Sequence, residues 1–161
     1  VDMEYQWKTP FLFKTKKLKD NEIKVDAELL IRTHYHKDEL YIPVSAIPWI
    51  INTLRGKKPQ EYDGIKFQGE GFKEEIEING RGIGIWTNFI ENTMSHLTIF
   101  IDLSESMKTE KKDFSSIDIP YRTTPRGYEM EYIEPLLKDL EKYLTPEERD
   151  KLTPPWSAQK K

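Results

Sequence analysis

The sequence predicts an α+β fold, an antiparallel β-sheet covered on one face by a middle helix and a C-terminal helix. Three observations predict it. Apolar and polar residues alternate through most of the first hundred positions, the period of half-buried strands. Two segments, near residues 47–54 and 136–144, instead repeat apolar residues at helical spacing. Between two alternating runs stands Asn79-Gly80, the preferred pair for a two-residue hairpin turn. The element order reads β-β-β-α, then β-β-β-β-α-α, which suits strands on one layer and helices on the other.

A chain of 161 residues is read as one domain over 1–152 with a polar tail over 153–161. It is long enough to bury a core without disulfide or metal staples. The opening stretch "MEYQWKTPFLFKTKKLK" places Tyr5, Trp7, Phe11 and Phe13 at odd positions, followed by Lys14, Lys16, Lys17 and Lys19. "IKVDAELLIRTHYH" sets Ile23, Val25, Ala27, Leu29, Ile31, Thr33 and Tyr35 on one face, with a turn expected at Lys37-Asp38 and "ELYIPV" as the return strand. The first helix is expected to start at a Ser45 N-cap, with Ile47, Ile50, Ile51 and Leu54 as its stripe and Gly56 in the left-handed C′ position. Trp49 falls off that stripe. "GKKPQEYDG" reads as a polar connection and "IKFQGEGF" as a short strand. "EEIEINGRGIGIW" is the hairpin, and "HLTIFIDL" turns Leu97, Ile99, Ile101 and Leu103 inward. From Ser104 to Arg126 the pattern dissolves into a long polar excursion. The last helix begins near Glu134, with Leu136, Leu137, Leu140 and Leu144 as its stripe. Thr145-Pro146-Glu147-Glu148 forms a capping box that opens one further short helix.

Composition excludes some chemistries. Apolar residues make 37% and charged residues 33% of the chain, and there is no cysteine. Disulfides, thiolate metal sites and cysteine nucleophiles are therefore out. Without an apolar run of about 18 residues or a signal-type leader, a cytoplasmic protein with no membrane span is expected. The Lys/Glu/Ile-rich composition leans towards a thermophile. Net charge is −3, unevenly spread. Residues 1–60 carry eleven Lys/Arg against eight Asp/Glu, residues 61–120 six against twelve, and residues 121–161 eight of each. A globally basic footprint for duplex DNA is missing, whereas a local cationic surface on the first third fits a polyanionic partner.

Catalytic constellations stay incomplete. His34 and His36 lie on one strand face about 7 Å apart, the spacing of two metal ligands, with His96 as a third only if its strand is a neighbour. The ordinary reading is a pair of half-exposed strand histidines. "HLTI" matches half of a paired His-x-Thr phosphoesterase motif, and the second half is missing. "GRGIG" lies between strands and lacks the Lys-Ser/Thr of a phosphate loop. No cofactor is expected. The leading expectation is a non-catalytic binder whose partner is single-stranded DNA or RNA and which acts as a homodimer. Aromatic stacking would come from Trp7, Phe13, Tyr35, Tyr41, Phe67 and Trp86. Phosphate contacts would come from Lys14, Lys16, Lys17, Arg32, Lys37, Lys57, Lys58 and Arg81. Against it stands burial of the odd-position aromatics in a common core. The alternatives are a protein-interaction module with an acidic face, of the inhibitor, immunity or viral accessory kind, and a metal- or His-dependent nuclease or phosphoesterase.

"KVDAELLIRTHYHKDELYIPVSAIPWIINTL" resembles the hairpin-then-helix unit of the Whirly, PUR and related coactivator-type single-strand binders. The resemblance implies that Arg32, Tyr35 and Lys37 face nucleic acid. It covers about thirty residues, and those repeats place four strands before the helix, more than the β-β-β-α order read here. The archaeal thermophile single-strand DNA-binding proteins, with an aromatic sheet cleft and a C-terminal helix, are the second family this chain is similar to.

Overall fold

A computed structural model describes residues 11–31, 34–56, 61–62, 67–68, 72–90, 94–108, 112–120 and 133–155. Strands β1 (Phe11–Lys17), β2 (Glu22–Ile31) and β3 (His34–Pro43) form an antiparallel meander. Helix α1 (Ile47–Arg55) follows, then a two-residue ladder of β4 (Glu61–Tyr62) with β5 (Phe67–Gln68). A second antiparallel meander joins β6 (Lys73–Ile78), β7 (Arg81–Ile90), β8 (Met94–Asp102) and β9 (Phe114–Pro120). Helices α2 (Glu134–Glu141) and α3 (Pro146–Asp150) end the described chain. The α+β class holds, with strands in two main sheets. Among the described residues no helix is long and apolar enough to cross a membrane.

The two meanders adjoin along β3 and β9. Their contact is made by side chains: the Tyr41 N–H donates to Ser115 Oγ at 3.1 Å, and the Asp118 N–H donates to Asp38 Oδ2 at 3.4 Å. One core spans both sheets. Ile23, Val25, Leu40, Ile42, Ile83, Ile85, Leu97, Ile99, Ile101, Ile117 and Ile119 point to the same side and meet Ile47, Ile50, Ile51 and Leu54 of α1 and Leu136, Leu137 and Leu140 of α2. Both helical stripes are thus the ones the spacing predicts, and all are buried because a helix with an apolar stripe must cover it.

Local turn chemistry accounts for several joints. Asn79 and Gly80 both take positive φ, 53° and 79°, the backbone a type I′ turn requires. Thr145 and Glu148 exchange side-chain-to-backbone bonds of 3.2 and 2.9 Å, completing the capping box.

Four expectations are corrected. Lys37-Asp38 is not a turn: it lies inside β3, opposite Glu28 and Ala27. Odd residues of β2 pair with even residues of β3, so the buried set changes from Ile23, Val25 and Ala27 to Leu40 and Ile42. The joint therefore falls between Ile31 and His34. The excursion after Ser104 contains a strand, β9, because Ser115, Ile117 and Ile119 alternate well enough to finish the sheet. Ser45 does not cap α1. Ala46 holds that position without a side-chain bond, and Ser45 Oγ accepts from Asn79 Nδ2 at 3.3 Å. Gly56 stays right-handed at φ −82°, and its value is space: a Cβ there would come within 2.9 Å of the Asn52 carbonyl oxygen.

Candidate nucleic-acid interface

Residue 15 decides where the lysines of β1 go. Thr15 lies on the inner side of β1, opposite Val25, and its hydroxyl bonds to Asp139 Oδ2 and, at 2.9 Å, to the Tyr143 phenol. Those bonds hold α2 against β1. Alternation sends Lys14 and Lys16 to the outer face, while Lys17 and Lys19 occupy the exposed end of the strand and the turn after it. On α2 the buried row is Leu136, Leu137 and Leu140, so Lys138 and Lys142 look away from the core beside the row that meets Thr15. Lysines thus flank edge strand β1 on both sides, Lys14 and Lys16 on its outer face and Lys138 and Lys142 on the helical segment that covers its inner face. Among the described residues no salt bridge reaches Lys14, Lys16, Lys17 or Lys19.

Lys142 and Asp139 belong to one network. Lys142 Nζ lies 2.9 Å from Asp139 Oδ1 and 5.1 Å from the Tyr143 ring centroid. Its hydrogen bond to Asp139 raises the ammonium pKa above the ordinary lysine value. For Asp139, burial pulls the carboxyl up, but the hydrogen bonds from Thr15 and Lys142 outweigh it, and the pKa ends below 3.8. Asp139 is therefore charged at neutral pH and holds the seam between strand and helix.

The remaining candidates divide. Phe13 is half-buried against the core on the inner face of β1, opposite Ala27. Lys37 is well exposed on the outer face of β3, 4.0 Å from Glu28. Tyr41 shares that face and donates to Glu39 Oε2 at 2.8 Å. Burial, then that bond and the charges of Glu39 and Asp26, push its phenol up to about 12. Arg81 is committed elsewhere. Its Nη1 lies 2.6 Å from Glu22 Oε1 and its Nε donates to the Asp102 carbonyl at 3.1 Å, so it ties β7 to the start of β2 in a nearly dry site. Trp86 lies on the outer face of the four-stranded sheet, beside Phe100. Trp7, Arg32, Lys57 and Lys58 lie outside the described residues, as do the side chains of Tyr35, Phe67, His34, His36 and His96.

Sequence reasoning missed Lys138, Lys142 and Tyr143. Nothing local marks them, since only the long-range Thr15 contact brings them to β1. Behind them stands a clamp it also missed. Arg55 at the end of α1 is 2% exposed, and its guanidinium bonds Glu134 (3.0 and 2.5 Å), Glu141 (3.0 Å) and the Thr153 carbonyl (3.0 Å). Burial alone would lower its pKa, but the two carboxylates outweigh that and raise it. Thr153 N donates in turn to Asn52 Oδ1, so the start of the expected tail is anchored on α1.

Comparison with protein-family models, with curated proteins and with solved structures returns no match.

Proposed function

We propose that this chain binds single-stranded nucleic acid non-catalytically, with phosphates lying along the lysine edge of β1 and α2. The observation that carries the reading is the Thr15 bond pair, which docks the segment bearing Lys138 and Lys142 on the strand that bears Lys14, Lys16 and Lys17. The resemblance to sheet-based single-strand binders supports it, as does the repeated order of antiparallel strands followed by a helix.

Charge chooses this edge over the face that carries Trp86. Stacking one base on an aromatic ring is worth about 1–3 kcal/mol. Around Trp86 the outer face carries Glu75, Glu77, Asp102 and Asp118 against Lys73 among the described residues of the four strands. Each carboxylate about 4 Å from a phosphate returns roughly 1 kcal/mol even in bulk water, so stacking there is cancelled. On the lysine edge the six lysines outnumber Asp20, Asp26 and Asp139, so the same arithmetic favours the strand there.

The test is fluorescence anisotropy with a labelled thirty-nucleotide single strand across a salt series. Six lysine contacts predict a log–log salt slope of about −4, hence a loss of roughly 300-fold in affinity between about 50 and 200 mM salt. Lys14→Ala/Lys16→Ala is expected to make the slope shallower by about 1.4. Absence of binding at low salt, or a slope indifferent to that double substitution, refutes the reading.

A further inference from the structure

The outer face of β6–β9 is laid out in three cross-strand rows. Glu77 faces Gly82, whose N–H donates to Asp102 Oδ2 at 3.2 Å, and Asp102 faces Phe114. Glu75 faces Gly84, which faces Phe100, which faces Ser116. Lys73 faces Trp86, which faces Thr98, which faces Asp118. The aromatics therefore lie on a diagonal, and their rings touch along it: Trp86 to Phe100 at 5.9 Å between centroids and Phe100 to Phe114 at 4.9 Å. Such diagonal neighbours are within reach of large side chains across a sheet.

The platform is built rather than incidental. Trp86 leans back along its strand over Gly84. A Cβ at Gly84 would stand 2.8 Å from Trp86 Cζ3, so only glycine lets the indole lie down there. Gly82 gives the same room to the Asp102 carboxylate, 2.8 Å from its would-be Cβ. Phe114, at the far end of the diagonal, is 48% exposed, one of two large apolar side chains so exposed among the described residues. Carboxylates flank the stripe on both sides, Glu75, Glu77 and Asp102 on one and Asp118 on the other. Among the described residues of these four strands Lys73 opposes them, bound to Glu75 at 3.2 Å, and Lys108 in the loop after β8 feels the Asp102 charge.

Ring faces bordered by carboxylates match one chemistry closely. A guanidinium lies flat on an aromatic face while its N–H fork reaches a neighbouring carboxylate. We propose that this face docks an arginine-bearing extended segment of a partner protein, with guanidinium groups over Phe100 and Phe114 and their forks on Glu75, Glu77 and Asp102. The charge of the face repels nucleic-acid phosphates, so this surface is separate from the lysine edge and does not rest on the function proposed for it.

The experiment uses a labelled GRGRGRGRG peptide, with GQGQGQGQG as its uncharged control, titrated into the whole chain and followed by anisotropy. The arginine peptide is expected to bind and the glutamine peptide to bind at least tenfold more weakly. Phe114→Ala, on an exposed site that leaves the core untouched, and Glu75→Gln/Glu77→Gln are each expected to weaken binding at least fivefold. Lys14→Ala/Lys16→Ala is expected to leave it unchanged. Circular dichroism checks that each variant is folded. Equal binding of the two peptides, or binding unaffected by Phe114→Ala, overturns the proposal. So does sedimentation showing self-association that Phe114→Ala abolishes, which would make a second copy the occupant. Loss of oligonucleotide binding in Phe114→Ala overturns it as well, by assigning the face to nucleic acid.

Discussion

Replacing Arg55 by methionine should be among the most damaging single changes available in this chain. The guanidinium is buried to 2% exposure, and it bridges α1, α2 and the segment after α3. Methionine fills much of the volume and removes the charge. Glu134 is then left with its carboxylate 13% exposed and Oε2 already without a hydrogen-bond partner among the described residues. Leaving one member of a buried pair uncompensated costs about 3–5 kcal/mol, and the orphaned Thr153 carbonyl adds to it. The partial exposure of Glu141, 26%, relieves some of that, so about 3 kcal/mol is expected. With a urea m-value of about 2 kcal/mol/M, the midpoint should fall by about 1.5 M. The assay is urea unfolding followed by far-ultraviolet circular dichroism. The double variant Arg55→Met/Glu134→Leu should recover at least about 1 kcal/mol of the loss, because no unpaired buried charge remains. Because Lys138 lies on α2 and Lys142 at its C-cap, the single-strand binding proposed above should also weaken in Arg55→Met at constant salt. A loss under about 1 kcal/mol, or a double variant less stable than the single one, would refute the clamp as described.

Two other outcomes follow from particular contacts. Gly84→Ala should cost about 1–3 kcal/mol through overpacking and shift the tryptophan emission to the red as the indole lifts from the sheet; unchanged stability and emission would show that Trp86 does not lie on residue 84. Asp139→Asn should lower stability by about 1 kcal/mol near neutral pH, a figure discounted because the side chain is 34% exposed. Its folded pKa is depressed, so that stabilisation is present above the unfolded value of about 3.9 and is lost as pH falls through the folded value. Wild type and variant should therefore converge in thermal unfolding between about pH 5 and 2, and a gap that persists at the acid end would rule out the Thr15–Asp139 seam as its source.

Much of the fold was legible from short-range patterns. The Asn79-Gly80 turn, the Thr145 capping box and the two helical stripes each depend on residues within a few positions of one another, where sterics and local hydrogen bonds decide. The inward set of β8 was equally readable, because period two forces one face to be apolar. The joint between β2 and β3 was not. Apolar residues at odd positions continue on paper as far as Tyr35, and the change to Leu40 and Ile42 has no sharp punctuation such as Gly or Pro. β9 was missed because its apolar set is only Ile117 and Ile119, too few to stand out from a polar stretch before β8 is known to need a partner.

Both candidate surfaces illustrate the same division. The sequence alone determined that lysines crowd residues 14–19, that the middle third is acidic, and that Trp86 follows two alternating glycines. Tertiary structure decided what those features mean. Thr15 reaching residues 139 and 143 docks α2, with Lys138 and Lys142 on its far side, on the first strand, and the register of three strand pairs sets Trp86, Phe100 and Phe114 in contact across a field of carboxylates. Arg81, cationic like its neighbours on paper, is instead spent on Glu22. The physical reason is distance along the chain: residues many positions apart meet only when strands register and helices dock, and no local propensity encodes which partner they will find.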